Sequence, residues 1–118
     1  MRGVSDNCVF CKIVSGEFPS TRVYETDQIL AFRDIAPNAP VDVLVIPKAH
    51  HVDVATLTEA DPDLAGQVLA AAAEVAKAEG LATDGYRVIF NSGRNSGQDV
   101  FHVHAHVLGG APLGPMAA

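Results

Sequence analysis

The sequence predicts an α+β domain, a five-stranded antiparallel sheet with one long helix and a short N-terminal helix. Two observations carry this prediction. The runs "TRVYE", "QILAFRD", "VDVLVI", "YRVIFN" and "VFHVHAHVL" have strand length and composition and are set apart by breaker residues. The stretch "TEADPDLAGQVLAAAAEVAKAEG" has helical spacing and a signal at each end.

In chain order, residues 8–15 form a short helix that Gly16 stops. "TRVYE" and "QILAFRD" flank "TD" as an antiparallel hairpin. "APNAP" interrupts the chain, because Pro37 and Pro40 fit a central strand poorly. "VDVLVI" follows as a mostly buried strand ended by Pro47. In the long helix, Asp61 is the N-cap and Pro62 the first helical residue. Leu64, Val68, Ala71, Ala72 and Val75 make one apolar stripe that packs on a sheet, and Gly80 suits the C′ position. "YRVIFN" is a strand, "SGRNSGQ" a Gly-rich loop and "VFHVHAHVL" the last strand. The single domain spans 1–118, with 1–6 and 111–118 as loose termini.

A chain of 118 residues that is 48% hydrophobic and 19% charged can bury a core. The net charge of −6, with no run of Lys or Arg, disfavours a nucleic-acid surface. A small anion bound by backbone N–H groups is still compatible. "MRGVSDNCVFC" holds no apolar signal region, and Glu74 and Lys77 interrupt the alanine-rich run, so the chain reads as cytoplasmic and without a membrane span. Two cysteines make no disulfide framework; as C-x-x-C, Cys8 and Cys11 point to metal or redox chemistry.

All five histidines fall in two groups, His50–His51 and His102, His104 and His106. Residues two apart line one face of a strand, so the trio shares a wet face opposite Phe101, Val103, Ala105 and Val107, which are core material. Three readings stand: a half-exposed strand that tolerates polar residues, a metal site, or nucleophilic catalysis by a neutral imidazole. The loop "NSGRNSGQD" before the strand is either an ordinary connection or an anion-binding nest in which Gly93 and Gly97 allow close approach. For C-x-x-C the redox setting lacks its preceding strand. A zinc site needs two further ligands, one from His50 or His51 and one from the trio. Two buried thiols without a metal are the alternative.

"HVHAHVL" resembles the signature of the histidine triad (HIT) superfamily, three histidines alternating with apolar residues. The resemblance runs from "CVFCKIVSGEFP" through "AFRDIAPNAPVDVLVIPKAHH" to "NSGRNSGQDVFHVHAHVLGG", nearly the whole chain, and is similar to the Hint branch of nucleotide-binding hydrolases. It implies that His104 is the nucleophile attacking an α-phosphate to form a nucleotidyl-histidine, and that His106 holds phosphate oxygens. By the same resemblance Asn91, Gly97 and Asp99 lie at the phosphate or leaving group. Asp34 binds the ribose hydroxyls, and Phe10, Ile13, Phe32 and Ile35 surround the base. Structural zinc falls to Cys8, Cys11, His50 and His102, and the assembly to a homodimer joining two sheets into one.

Read without the family, Asp34 is a turn or cap residue and Phe10, Phe32 and Ile35 are ordinary core. Asp99 stands where relatives carry Ser or Thr. It turns to solvent, is held protonated, or serves a basic leaving group. The tail "APLGPMAA" lacks an aromatic that some relatives use at the substrate pocket, and His51 is an extra histidine beside an expected ligand. The implied substrate is a purine nucleoside monophosphate (AMP or GMP type) joined to a leaving group, as in a phosphoramidate. The alternatives are a dinucleoside polyphosphate hydrolase or phosphorylase, a nucleotide-binding regulatory module with negligible turnover, and a zinc-binding structural protein.

Overall fold

A computed structural model describes residues 7–116. Its elements are α1 (Val9–Ser15), β1 (Arg22–Glu25), β2 (Ile29–Arg33), β3 (Val41–Pro47), α2 (Val54–Ala60), α3 (Pro62–Ala78), β4 (Tyr86–Phe90) and β5 (Ala105–Gly109). The five strands form one antiparallel sheet in the order β1-β2-β3-β5-β4, so the last strand inserts between β3 and β4.

Local signals act where expected. Gly16 ends α1 at φ 87°, a left-handed conformation that costs glycine little. The Asp61 side chain accepts from the Leu64 N–H and Pro62 opens α3. Leu64, Val68, Ala71, Ala72 and Val75 are all buried, together with Ala76. Gly80 follows the helix at φ 77°.

Each central strand divides its side chains between two faces. Ile29, Ala31, Val43, Val45, Ala105 and Val107 pack with α3 in one core. Leu30, Phe32, Leu44 and Ile46 point the other way and pack with Cys8, Phe10, Cys11 and Ile13 of the α1 region. The chemistry-bearing histidines belong to this second face.

Four expectations need correction. A second short helix, α2, precedes the long one; Asp53 and Thr56 cap it reciprocally, side chain to backbone in both directions. Strand β5 begins at Ala105 rather than at residue 100. The cause is that Val103 N–H donates to the His51 carbonyl at 2.7 Å, which draws residues 102–103 out of the sheet ladder. Phe101, expected in the core, is 53% exposed, whereas His102 and His104, expected on a wet face, are 0% and 4% exposed. The tail has no regular structure at 111–116, yet Arg87 donates to the Gly114 carbonyl and ties it to β4. Residues 1–6 and 117–118 of the expected loose termini lie outside the described residues.

Candidate functional site

The register places His106 opposite Leu44 on β3 and Ile89 on β4. His104 and His102 precede it in the approach to β5. The His104 ring lies 5.1 Å from the His106 ring and 5.1 Å, edge-on, from Phe10. Phe10 also meets Phe32 at 5.5 Å and His102 at 5.9 Å, so helix α1 is wedged against the histidine segment.

The four expected metal ligands converge. Cys8 Sγ and Cys11 Sγ lie 3.4 Å and 3.6 Å from His102 Nδ1, Cys11 Sγ lies 3.4 Å from His50 Nδ1, and the two Nδ1 atoms are 3.2 Å apart. Tetrahedral zinc bonds of about 2.3 Å to sulfur and about 2.0–2.1 Å to nitrogen space sulfur and nitrogen about 3.6 Å apart and two nitrogens about 3.3 Å apart. The residues therefore fit the ion. The outer ring nitrogen agrees: His102 Nε2–H donates to the Pro47 carbonyl at 2.8 Å, which leaves Nδ1 bare toward the sulfurs. Burial pushes the His102 pKa down to about 4, opposed by the Pro47 bond, so the ring is neutral as a ligand must be. His50 is lowered as well, by burial first and then by His51. His51 itself takes no part in the cluster.

His104 Nδ1–H donates to the backbone carbonyl of His102 at 2.9 Å. That bond fixes the tautomer and leaves Nε2 with its lone pair. Burial lowers the His104 pKa, against the His102 carbonyl, Asp99 and Asp34, which raise it. A buried, neutral, oriented imidazole is the form that attacks an electrophile.

Two residues that sequence reasoning passed over complete the site. Asp42 of β3 has a fully buried side chain; its Oδ2 accepts from Asn38 N–H at 3.0 Å and its Oδ1 lies 3.5 Å from His106 Nδ1. The visible signal was one carboxylate inside the apolar run "VDVLVI", on the same alternation as Leu44 and Ile46. Asp34, Asp42 and His106 bring ligand-type atoms within 4.8 Å of one another. With a single nitrogen, and with both carboxylates already accepting backbone N–H bonds, they resemble a metal cage less than the cysteine cluster does. The second residue is Gln98, 6% exposed, whose Oε1 accepts from Gly93 N–H at 2.8 Å while Nε2 donates to the Val52 and Val100 carbonyls.

Of the two readings of the Gly-rich loop, an ordinary connection or an anion-binding nest, the structure shows a turn closed on itself. It forms a 3-10 turn at Arg94–Ser96, and the N–H groups of Gly93, Ser96, Gly97 and Gln98 are spent on bonds within the loop. Gly97 sits at φ 87° with nothing within 4 Å of where a Cβ would stand, so the turn itself requires glycine there. Asn91 is half-buried and Asp99 exposed. Among the expected base-pocket residues, Phe10, Ile13 and Phe32 are buried together, whereas Ile35 is 98% exposed beside half-buried Asp34. A cavity of about 370 Å³ lies between Cys8, His50, Val52, Asp99, Val100 and Phe101, at the edge of the cysteine cluster. A larger cleft of about 750 Å³ between the end of α3 and the tail contains none of the histidines.

The chain matches a family model described as HIT domain over residues 15–113. It is 44% identical over 115 residues to a purine nucleoside phosphoramidase of Escherichia coli K12, covering 98% of this chain and 97% of that one. It is 47% identical over 107 residues to a 14 kDa zinc-binding protein of Zea mays, covering 89% and 83%. Among solved structures, a HIT family hydrolase from Clostridium thermocellum superposes with TM-score 0.92 at 45% identity, covering 98% of this chain and all of that one.

Proposed function

The chain belongs to the HIT domain family and is a HIT-family hydrolase; from that premise we propose that it acts on the α-phosphate of purine nucleoside monophosphate derivatives of the phosphoramidate type. One observation carries the reading: His104 is buried, neutral and held through Nδ1 by the His102 carbonyl, leaving Nε2 to attack phosphorus. The P–N bond to the leaving group breaks as the nucleotidyl-histidine forms, and water then releases the nucleotide. The name of the Escherichia coli relative supports the substrate class.

The remaining roles follow the same reading. Asp34 accepts from the ribose hydroxyls, with Ile35 beside it as the exposed apolar wall that a base would cover. Phe10, Ile13 and Phe32 back that wall. Asn91, Gly97 and Asp99 border the phosphate and leaving group, and His106 acts on the phosphoryl oxygens or the departing group. Cys8, Cys11, His50 and His102 hold zinc, whose contribution is structural: it fixes the segment from which His104 projects. A homodimer formed along β4 accords with the half-exposed Tyr86 and Val88 on that edge strand. Among the described residues no helix is long and apolar enough to cross a membrane. A cytoplasmic location is part of the proposal.

The test is His104→Ala. It abolishes hydrolysis of an adenosine phosphoramidate while leaving the circular dichroism spectrum and zinc content unchanged. Turnover at the normal rate, or a quenched adduct mapped by mass spectrometry to another residue, overturns the assignment.

A further inference from the structure

We propose that Asp42 is a positioning residue whose buried carboxylate holds His106 with Nδ1 protonated, so that His106 Nε2 delivers a proton to the leaving group and recovers one from water. The inference rests on the hydrolase reading given above.

A carboxylate with no exposed surface, inside a strand that is otherwise apolar, needs a partner that compensates its charge. Asp42 has two. The Asn38 N–H fixes one oxygen and His106 Nδ1 faces the other. An acid paired to one nitrogen of an imidazole orients the ring, selects the tautomer and stabilises the imidazolium, leaving the far nitrogen to exchange a proton. The other groups facing His106 are His104 in the segment that leads into β5 and Asp34 from the loop after β2, whose N–H donates to the Asp42 carbonyl at 3.0 Å. On β4 its partner is the uncharged Ile89.

Proton accounting requires such a group. His104 attacks with the Nε2 lone pair while its Nδ1 proton stays on the His102 carbonyl, so it has none to give the departing amine. In the first step the His104 Nε2–P bond forms, the P–N bond to the amine breaks, and the amine takes the Nε2 proton of His106. In the second step a water oxygen bonds to phosphorus, the His104–P bond breaks, and the water proton passes to His106 Nε2. His106 begins and ends protonated, and His104 begins and ends neutral.

The experiment compares kcat/KM for two substrates of one nucleotide, an alkylamine phosphoramidate and a p-nitrophenyl ester, whose leaving group departs without a proton. Asp42→Asn is expected to lose about 100-fold on the phosphoramidate, the scale of general acid catalysis, and less than about threefold on the ester. His106→Gln slows both substrates, the phosphoramidate more than the ester, and adding Asp42→Asn to it costs nothing more. Equal losses on both substrates, or additive losses in the double variant, overturn the role of Asp42. If Asp42→Asn does not fold, His106→Gln alone decides: without the split the proposal falls. A wild-type protein inactive on both substrates instead refutes the hydrolase reading, and the Asp42 proposal with it.

Discussion

Stripping the metal tests the site at its base. Cys8, Cys11 and His102 are 8%, 7% and 0% exposed, so water does not replace the ion at these atoms. Each buried polar atom left without its partner costs about 1–3 kcal/mol. Cys8 Sγ keeps the Cys11 N–H, so the cost is counted once for the cluster, about 1–3 kcal/mol, with the two Nδ1 atoms left facing each other at 3.2 Å. A domain of 118 residues has an unfolding entropy of about 0.25 kcal/mol/K, so the melting temperature falls by about 4–12 °C. The assay is calorimetric melting of protein purified without added metal, before and after chelation, beside elemental analysis. Turnover should fall with zinc content well below the melting transition, because loosening His102 releases the carbonyl that holds His104. Protein that carries no zinc as purified, or that melts at the same temperature before and after its zinc is removed, would refute the cage, and turnover unchanged on zinc removal would refute the link to catalysis.

Two further substitutions probe the substrate side. Gly97→Ala meets no neighbouring atom but forces a Cβ into φ 87°, so it costs about 1–2 kcal/mol of backbone strain. The expected outcome is a modest drop in melting temperature with a raised KM; unchanged kinetics would remove the loop from the phosphate site. Asp34→Ala should erase the preference for ribonucleotides over 2′,3′-dideoxynucleotides, about 10-fold in KM for a charge-assisted hydrogen bond. Equal discrimination in both proteins would assign Asp34 to its turn alone, where its Oδ1 already accepts the Ala36 N–H.

Much of this was legible because local rules and burial agreed. The Asp61–Pro62 start of α3, its apolar stripe and the β1–β2 hairpin follow from positions a few residues apart, and the structure repeats them. The cysteine and histidine cluster was readable as a donor set, although only the fold brings Cys8 within 3.4 Å of a residue 94 positions away. What stayed hidden depends on long-range contacts. Helix α2 is seven residues long with one buried side chain, Leu57, and so gave no periodic stripe. Asp42 was passed over inside its strand, because only the ladder brings His106 to face it. The glycine loop stayed open between a nest and an ordinary connection because sequence cannot reveal that its own carbonyls and Gln98 take up its N–H groups.

The break in the last strand explains why three alternating histidines are not equivalent. In an unbroken ladder the His102 carbonyl would bond to a neighbouring strand, and the three rings would stand in similar surroundings. Instead Val103 pairs with His51, which carries His102 out toward the cysteines and His50. The His102 carbonyl is then available to His104. Only His106 sits within the regular sheet, where the register places it within reach of the buried Asp42. A two-residue spacing thus gives three environments. One ring faces the sulfurs, one is held by a carbonyl in an apolar setting, and one is paired with a carboxylate. The cysteine–histidine cluster and the His104 ring are joined through the carbonyl of His102, so on the proposed reading a change at the cluster reaches His104 without any movement of the sheet.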